Sequence, residues 1–571
     1  MNLSGLWLAL LAAAFVIGWR EWVVAHKPAH MLEMAEELGW IAHYREVLYP
    51  NNSNTALVFC QTTDNGEGIF FCNGNNSPKK LICEQMEKGW CWQSFGAIAW
   101  APDDSLFACS YPPRTSGQPP EELLICDGHS GKILTKLPVD SKFSRLAWLS
   151  SSAFAYFYVS LNHNNLVVVQ RKSDMEWVQT KVLKGLGANA KNLVATSENS
   201  LAWKDGNQIL SLQLADATPK QIYEATTNTL VDFTFSMKTK EFLLNCAQGP
   251  QQSLVRFYPP TGWSSDLGII GNQTNAIRHV GWFNDGIRYA TVDKGIGGSV
   301  FHIKTSVQSP PVDLPWPGLV MNYTMNGDCL YVTGDLTSQP PGIFQYNLAS
   351  KETACFVSAL DHPLKYAKIV GAINGSLTNS AGRLVHYFLW PPVNLSAHKK
   401  HPLIIGQTTY SWWLPYPQIA ANTGSYFVFI DRPSWWGGLE NWKDDVMQIH
   451  DLMVQDPNVD ADQVYLYGTS AETGPLSELL TEQSDLWQGA LLFNPTATPD
   501  PATVHISQML VLDGTDDGAN AVERWANYQN KAAEQGIMVK LALIDGAQHM
   551  SHSTRTEHTK TEQVARFLFG D

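Results

Sequence analysis

A repeated pattern of two short apolar runs separated by a polar turn constrains the fold of this chain more than any other feature. One copy runs from Phe95 to Trp100 and resumes, after the turn A-P-D-D-S, from Leu106 to Ser110. Aromatic and apolar runs of this length are typical of antiparallel strands. Similar pairs lie at 143–148 and 153–157, at 231–235 and 241–245, and at 277–282 and 287–291, and weaker units begin near Ala56, Leu193 and Leu319. A spacing of about 45 residues predicts a β-propeller of roughly seven four-stranded blades, with a pair of β-sandwiches as the alternative.

The pattern changes after about residue 361, where apolar strand-like runs begin to alternate with helical patterns. This alternation predicts a parallel sheet covered by helices, and the helices are expected at 444–454, 519–535 and 556–567. Gly536 is a typical C-cap for the second of them. The predicted strands are Leu384–Trp390, Pro402–Ile405, Tyr426–Ile430, Val464–Tyr467, Ala490–Phe493, Met509–Leu512 and Val539–Ile544. The chain is therefore predicted to combine a β-propeller at 55–358 with an α/β domain at 359–571, after a linker or helical segment at 31–54.

The N-terminal segment 1–30 contains an apolar run without a charged residue, from Leu3 to Trp19, which Arg20 and Glu21 end. Its length is near the lower limit for a membrane-spanning helix and long for the core of a signal peptide. We expect a single N-terminal membrane anchor, with a cleaved signal peptide as the second interpretation and a buried core helix as the third. Either of the first two makes the protein membrane-anchored or exported, with the bulk of the chain outside the cytoplasm.

Composition excludes several classes of function. The chain has 571 residues and a formal net charge of −14, so it should repel phosphate backbones, and nucleic-acid binding is not expected. None of the nine cysteines forms a C-x-x-C pair, so neither a metal site nor a redox motif is predicted. The cysteines between 60 and 126 permit a disulfide or two in an oxidising compartment, or are small buried apolar residues. No cofactor is expected.

The residues that suggest chemistry begin with a strand, Gln463–Tyr467, that runs into the turn Gly468-Thr-Ser470-Ala-Glu472-Thr-Gly474 and then into an apolar helical stretch. Strand, tight turn and helix are the setting of a nucleophile elbow. Such a turn exposes the hydroxyl of Ser470 at a helix N-terminus, where developing negative charge is stabilised. The backbone N–H of Ala471 would supply one oxyanion donor. The alternative is an ordinary helix-capping serine.

An acid and a base follow the serine in the chain, each after a strand. Asp517 follows the strand at 509–512, and His549 follows the strand at 539–544. Ser, Asp and His in this order are typical of the α/β-hydrolase triad, in which the histidine removes the serine proton and the aspartate orients the imidazole. The alternatives are a turn aspartate and a surface-loop histidine, and His552 and His558 are rival bases.

A propeller followed by such a domain resembles the prolyl oligopeptidase family of serine peptidases, and four segments carry the resemblance. The segment 401–405 looks like the first core strand of the family, and 458–468 looks like the stretch that leads to its nucleophile. Phe429-Ile-Asp-Arg432, with Gly437, Gly438 and Trp442, is similar to the motif D-x-R-G-x-x-x-x-G. Asp513-Gly-Thr-Asp-Asp517 resembles the acid motif H-G-x-x-D, which selects Asp517 over Asp516. The resemblance implies hydrolysis of peptide carbonyls through an acyl-enzyme, with a peptide or small acyl compound as substrate.

The resemblance also implies further site residues. In the loop after the first core strand, Tyr410, or less favourably Thr408, would be the second oxyanion donor. Arg432 would anchor a substrate carboxylate or form an ion pair with Asp431 or Asp445. The tryptophans of the two loops that flank the site would form a pocket for a proline or aromatic side chain, or would pack between the two domains; they are Trp412, Trp413, Trp435 and Trp436.

The turn departs from the family pattern G-x-S-x-G-G, because Glu472 and Thr473 replace both of the last two glycines. Side chains at these positions predict crowding or a shifted turn, and a carboxylate close to Ser470 would oppose an oxyanion. Two other functions therefore stand beside the peptidase: an esterase that uses the same triad, and a catalytically silent binding or scaffold protein.

Overall fold

The computed structural model describes residues 31–39, 44–64, 66–74, 80–86, 98–111, 122–139, 143–160, 163–173, 176–187, 189–249, 251–271, 275–283, 286–293, 300–304, 319–335, 342–358, 364–380, 382–395, 399–408, 415–431, 442–518, 521–549 and 553–569. These residues form two compact units. The first lies within residues 42–361, and the second combines a short N-terminal helix with the chain from residue 362 onwards.

The first unit is a β-propeller, as the repeated pattern predicts. Its seven sheets are each built from consecutive antiparallel strands, and six have four strands while the sixth in chain order has three among the described residues. The first three sheets are β1 Tyr44–Pro50, β2 Ala56–Thr63, β3 Gly66–Asn73 and β4 Lys80–Met86; β5 Ile98–Trp100, β6 Leu106–Tyr111, β7 Glu122–Asp127 and β8 Ile133–Pro138; and β9 Phe143–Ser150, β10 Ala153–Ser160, β11 His163–Arg171 and β12 Trp177–Leu186. The fourth and fifth sheets are β13 Ala190–Ser197, β14 Ser200–Asp205, β15 Gln208–Gln213 and β16 Lys220–Glu224; and β17 Thr229–Phe235, β18 Phe242–Gln248, β19 Gln251–Tyr258 and β20 Trp263–Gly271. The sixth and seventh sheets are β21 Asn275–Phe283, β22 Gly286–Asp293 and β23 Val300–Lys304; and β24 Leu319–Asn326, β25 Cys329–Asp335, β26 Gly342–Asn347 and β27 Thr353–Ser358.

The strand pairs recognised in the sequence are the first two strands of their sheets, namely β5 with β6, β9 with β10, β17 with β18, and β21 with β22. The propeller begins earlier than residue 55, because β1 pairs antiparallel with β2 and completes the first sheet. The N-terminal boundary of the repeat is therefore one strand upstream of the first apolar run that the sequence reveals.

Tryptophans at the ends of first strands tie neighbouring sheets together. The indole Nε1 of Trp100 on β5 donates to the carbonyl of Tyr49 on β1 at 3.0 Å. Trp148 on β9 repeats this contact with the carbonyl of Ala99 on β5 at 2.9 Å. Each of these bonds gives an indole N–H an acceptor in the neighbouring sheet and so stabilises the packing of one blade on the next. Blade packing thus explains the tryptophan at these two positions of the sequence pattern.

The first and last sheets meet through asparagine side chains. The side-chain Nδ2 of Asn326, at the end of β24, donates to the carbonyl of Asn51 at 2.6 Å. Asn54 returns a bond from its own Nδ2 to the carbonyl of Asn326 at 3.2 Å. These bonds link residues far apart in the chain, so they close the ring of blades where backbone pairing does not.

Every cysteine in the described part of the chain carries a free thiol, and Cys91 lies outside it. Cys60, Cys109 and Cys126 are buried among apolar side chains between the first two sheets. Burial also raises the pKa of the Cys83 thiol to about 12. Of the two interpretations of the cysteines, small buried side chains and not disulfides agree with the described residues.

The second unit is an α/β domain around one eight-stranded sheet, and its fold agrees with the sequence-based prediction. The strand order is β28-β29-β31-β30-β32-β33-β34-β35, in which the last six strands of this order run parallel. The strands are β28 Ile373–Thr378, β29 Leu384–Trp390, β30 His401–Thr408, β31 Tyr426–Asp431, β32 Val459–Thr469, β33 Gly489–Phe493, β34 Gln508–Gly514 and β35 Met538–Ile544. The helices are α1 Met31–Gly39, α2 Pro415–Thr423, α3 Trp442–Met453, α4 Thr473–Glu482, α5 Ala521–Glu534 and α6 Thr554–Phe569.

All seven predicted strands of this domain lie within observed strands. Among the described residues after 362, the sequence analysis did not predict strand β28 and helix α2. The core joins the sheet to α3, α4 and α5 through side chains such as Trp442, Leu476 and Trp525. Gly536 has a positive φ of 78° directly after α5, which fits its predicted role as C-cap.

Helix α1 packs on α6 and α2, so it belongs to the α/β unit and is not a linker. The carboxylate of Glu37 accepts the backbone N–H groups of Lys365, Tyr366 and Ala367, each at 2.8 Å. In the described part of the chain no helix is long and apolar enough to cross a membrane. The predicted anchor or signal segment at 1–30 lies outside that part.

Candidate active site

Three neighbouring loops meet at one edge of the α/β sheet. Ser470 directly follows β32, Asp517 lies in the loop after β34, and His549 lies in the loop after β35. Because β32, β33, β34 and β35 are parallel and adjacent, these loops all leave from the carboxyl ends of their strands. Residues that are far apart in the sequence therefore come together at this edge.

Hydrogen bonds link the three side chains in a row. The Oγ atom of Ser470 lies 2.8 Å from Nε2 of His549. The Nδ1 atom of the same imidazole lies 2.8 Å from Oδ2 of Asp517. A carboxylate at Nδ1 holds the proton there and leaves Nε2 free of a proton, so that Nε2 can accept the hydroxyl proton of Ser470. This is the arrangement that a serine nucleophile requires.

The backbone of Ser470 has the strained geometry of a nucleophile turn. Its φ of 51° is in the left-handed region, which residues other than glycine seldom adopt. The turn also brings helix α4 close to the strand, because a Cβ atom on Gly468 would lie 2.8 Å from Cδ1 of Leu476. The first glycine of the predicted motif therefore leaves room for the Leu476 side chain, which a larger residue at this position would displace.

Glu472 occupies a glycine position of the family motif without disrupting this turn. Its side chain is buried, and its Oε2 accepts the backbone N–H of Thr469 at 3.4 Å, so the carboxylate is turned back towards strand β32. Burial, together with the negative charges of Glu472 and Glu557, raises the pKa of Tyr467 well above its ordinary value. The sequence predicts crowding or a shifted turn at this position. In the structure the turn is kept, because the Glu472 carboxylate folds against the strand.

Thr473 occupies the second glycine position and holds the turn in place. Its Oγ1 donates to the carbonyl of Ser470 at 2.6 Å. The same oxygen accepts the backbone N–H groups of Thr496 at 3.1 Å and Ala497 at 3.2 Å, in the loop after β33. Thr473 is fully buried, so one hydroxyl fixes the position of Ser470 relative to the neighbouring loop.

Backbone contacts tie the loop of Asp517 to that of His549. The N–H groups of Thr515 and Asp516 each donate at 3.0 Å, to the carbonyls of Ile544 and Ala547 respectively. A Cβ atom on Gly514 would lie 2.0 Å from the carbonyl oxygen of Ala547. Only a glycine at this position allows the two loops to approach, which explains the Gly of the acid motif.

The carboxyl group of Asp517 is adapted to the ionised state. Burial by itself raises the pKa of this group. Hydrogen bonds from Asp513, His549 and Asn494, together with the charge of His549, outweigh this effect, so the pKa of Asp517 lies below its ordinary value. An ionised Asp517 is the form that orients the imidazole and stabilises it when protonated.

Two buried polar groups near the site were not predicted from the sequence. Asp513 at the end of β34 is bonded to Arg524 and Trp525 on α5. Glu557 on α6 is bonded to the hydroxyl of Tyr416 on α2 at 2.6 Å and to Nζ of Lys560 at 2.9 Å. The only sequence signal for Asp513 was the Asp-Gly pair of the acid motif. For the second, Glu557 and Lys560 are three positions apart on one helix, which indicates an ion pair but not its burial.

The other predicted site residues have different outcomes. Ala471 follows Ser470 within the short 3₁₀ turn Ser470–Glu472, and it is exposed. The imidazole bonded to Ser470 is that of His549, whereas the rival His558 lies on α6. In the part of the chain that the structure describes, no group of three His, Cys, Asp or Glu side chains is arranged to hold a metal ion. Thr408, the alternative oxyanion donor, is the last residue of β30. The other predictions concern residues outside the described part, namely Tyr410, Trp412, Trp413, Arg432, Trp435, Trp436 and His552.

Comparison of the sequence with protein-family models and with curated proteins finds no match. Solved structures, by contrast, match over nearly the whole chain. A puromycin-hydrolysing peptidase of Mycobacterium tuberculosis is similar with a TM-score of 0.66 at 11% identity, covering 95% of this chain and 96% of its own. A prolyl endopeptidase matches with a TM-score of 0.63 at 13% identity, covering 96% of this chain and 93% of its own.

An acylaminoacyl peptidase of Pyrococcus horikoshii also has a TM-score of 0.63, at 10% identity, and covers 94% of this chain and 96% of its own. Such similarity at low identity establishes a common fold and not a common activity. The chain therefore has the fold of the prolyl oligopeptidase family, a β-propeller with an α/β-hydrolase domain, in a strongly diverged sequence.

Proposed function

We propose that this protein is a serine peptidase that hydrolyses peptides through an acyl-enzyme formed on Ser470. The observation that carries the proposal is the row of hydrogen bonds from Ser470 through His549 to Asp517, both of 2.8 Å, at the carboxyl edge of a hydrolase sheet. The fold is shared with structures described as prolyl endopeptidase, puromycin hydrolase and acylaminoacyl peptidase, and this supports a peptide-like amide as the substrate.

The proposed reaction assigns one role to each side chain. His549 Nε2 accepts the proton of the Ser470 hydroxyl while Oγ forms a bond to the substrate carbonyl carbon. Asp517 stabilises the imidazolium that results, and the backbone N–H of Ala471 donates to the oxyanion. The imidazolium then gives its proton to the leaving amine, and the C–N bond breaks. Water repeats the same steps on the acyl-enzyme and releases the acid.

The test is covalent labelling with a fluorophosphonate probe, which reacts with activated serines. Wild-type protein should be labelled, and the variant Ser470→Ala should not. Ser507→Ala is the matched control, because Ser507 is an exposed serine of the same domain. Folded wild-type protein that resists labelling would favour the silent binding or scaffold protein instead.

Substrate panels then separate the peptidase from an esterase that uses the same three residues. We expect turnover of peptide anilides that depends on the residue before the cleaved bond, and loss of this turnover in Ser470→Ala. Hydrolysis of nitrophenyl esters without turnover of any peptide anilide would assign the protein to the esterases.

For localisation, we propose that the apolar run Leu3–Trp19 directs the chain to a membrane and either anchors it or is removed as a signal peptide. Fractionation of cells that express the full chain tests this proposal, with a variant that begins at Met31 as control. Full-length protein recovered in the membrane fraction supports the anchor. A mature N-terminus after the run, determined by sequencing, supports the signal peptide, and recovery of both proteins in the cytoplasm refutes both.

A further inference from the structure

A second carboxyl group lies behind Asp517, at the end of strand β34. The side chain of Asp513 is completely buried, and both of its oxygens accept hydrogen bonds. The backbone N–H of Gly514 donates to Oδ1 at 2.9 Å, and Nη2 of Arg524 donates to Oδ2 at 2.9 Å. The indole Nε1 of Trp525 also donates to Oδ2. These donors come from its own loop and from α5, and they hold the carboxyl group in one orientation.

Asn494 connects this carboxyl group to Asp517. Its Nδ2 lies 3.3 Å from Oδ1 of Asp513 and 3.5 Å from Oδ2 of Asp517, the same oxygen that accepts Nδ1 of His549. Asn494 is itself fixed, because its backbone N–H donates to the carbonyl of Leu512 at 2.7 Å and its φ is 45°.

We propose that Asp513 is a positioning residue for the reaction, which orients Asp517 through Asn494 and places a second negative charge behind His549. The proposal rests on the function proposed for Ser470. It assigns a role to a position at which the acid motif H-G-x-x-D has a histidine, so it concerns a residue particular to this chain. Asp513 does not contact the reacting atoms and acts only through its neighbours.

The charge of Asp513 has a consequence for the pH dependence. Burial and the nearby Asp517 raise the pKa of Asp513 to about 6, against the opposing effect of the Trp525 and Gly514 hydrogen bonds. The charged groups around it are Asp517 in the same loop, Arg524 on α5 and, through Asp517, His549. A negative charge at Asp513 attracts the positive charge that the imidazole carries when it takes the Ser470 proton, so removing it should move the pH dependence of labelling to lower pH.

The experiment measures the rate of fluorophosphonate modification across the acidic and neutral pH range for wild type and Asp513→Asn. In the variant, the acidic limb of the profile should move to lower pH by about half a unit or more, because a nearby charge is lost. The plateau rate should fall about tenfold, because Asp517 is less well oriented. The control is Asp516→Asn, which removes an exposed carboxylate from the same loop and should leave the profile unchanged. An acidic limb that coincides with wild type overturns the proposal.

A second variant removes the hydrogen bonds of Asn494 to the two carboxyl groups and keeps the charge of Asp513. Asn494→Gly keeps a residue that tolerates the left-handed backbone and deletes the amide between the two carboxyl groups. Its plateau rate should fall while its acidic limb stays at the wild-type pH. A wild-type plateau rate in this variant contradicts the positioning role even if Asp513→Asn does not fold.

A spectroscopic measurement separates this proposal from the proposed function. The proton between Nδ1 of His549 and Asp517 gives a downfield proton resonance that titrates with the imidazole, whether or not the protein turns over a substrate. The midpoint of this titration should be lower in Asp513→Asn than in wild type. Absence of labelling in wild type refutes the proposed function, whereas equal midpoints in the two proteins refute the role of Asp513.

Discussion

Buried polar side chains serve different purposes in the two units of this protein. In the propeller, Trp100 and Trp148 each donate to the sheet before them, and Asp104 accepts the backbone N–H groups of Asn52 and Ser53 in the preceding blade at 2.7 and 2.8 Å. Such contacts recur from blade to blade. In the α/β unit, polar side chains from several loops converge on a single edge of one sheet.

From this difference we expect that the loss of some side-chain contacts reduces stability alone, whereas the loss of others also reduces the reactivity of Ser470. A repeated contact between blades can be lost at one position while its counterparts remain, so its removal costs local stability. A contact in the convergent cluster has no counterpart in the described chain, and its removal should displace the atoms that we propose to react. The following predictions, from the largest effect to the smallest, test this distinction.

The largest effect is expected for Gly514→Ala. The new Cβ atom would lie 2.0 Å from the carbonyl oxygen of Ala547, so the loops of Asp517 and His549 would have to separate. We expect the rate of fluorophosphonate labelling to fall by about a hundredfold or more, since a displacement of about 1 Å has such an effect on reacting groups.

The matched control for this change is Gly474→Ala, in the first turn of α4, where a Cβ atom would meet no other atom within 4 Å. This variant should be labelled at the wild-type rate, with stability unchanged or slightly raised. Equal labelling of Gly514→Ala and Gly474→Ala would show that the approach of the two loops is not needed.

The next effect concerns the pH dependence of stability. Because the pKa of Asp513 is raised from 3.8 to about 6 in the folded protein, the native state retains a proton that the unfolded chain releases. The contribution of Asp513 to the unfolding free energy should therefore fall as the pH rises through this window, by about 3 kcal/mol, and this fall should be absent in Asp513→Asn. Thermal unfolding of both proteins at the two ends of the window measures it. Parallel pH dependences in the two proteins would contradict a raised pKa at Asp513.

A smaller effect is expected at the nucleophile turn. Thr473→Val keeps the shape of the side chain but deletes the oxygen that accepts the N–H groups of Thr496 and Ala497. The labelling rate should fall about tenfold, because the Ser470 carbonyl loses a donor and the turn loosens. Thr473→Ser retains the hydroxyl and should behave as wild type. If valine and serine give the same rate, the hydroxyl does not hold the turn.

The smallest effect is expected in the propeller. Trp148→Phe removes the hydrogen bond to the carbonyl of Ala99 and part of a buried side chain. The cost should be about 1–2 kcal/mol of unfolding free energy, seen as a lower unfolding temperature of the propeller, with an unchanged labelling rate. A lower labelling rate in this variant would contradict the distinction between contacts that join blades and contacts that hold the Ser470 cluster.

Much of the fold could be predicted from the sequence, because its determinants are local. Strand pairs such as Phe143–Trp148 with 153–157 are close in sequence and repeat, and the buried parallel strands are nearly continuous apolar runs. Strand β28 was missed because its side chains alternate between exposed and half-buried, and Asn374 and Gly375 weaken the strand signal. Helix α2 was missed because Pro415 and Pro417 resemble a loop, although proline is tolerated in a first helical turn.

The candidate site could be predicted in part. The convergence of Ser470, Asp517 and His549 could be predicted because each follows a strand, and parallel strands bring their ends to one edge. The direction of the Glu472 carboxylate could not be predicted, since it depends on one backbone N–H of Thr469. The surroundings of Asp513 could not be predicted either, because its partners Arg524, Trp525 and Asn494 come from other elements of the tertiary structure.

The proposed role of Ser470 is tested by the reactivity of its hydroxyl, which mass mapping of the labelled protein measures. Folded wild-type protein would be treated with a fluorophosphonate, digested, and analysed for the modified peptide. We predict a single stoichiometric adduct on Ser470 that is absent from His549→Ala. An adduct on another serine, or none on folded protein, would contradict the proposal that Ser470, His549 and Asp517 act together.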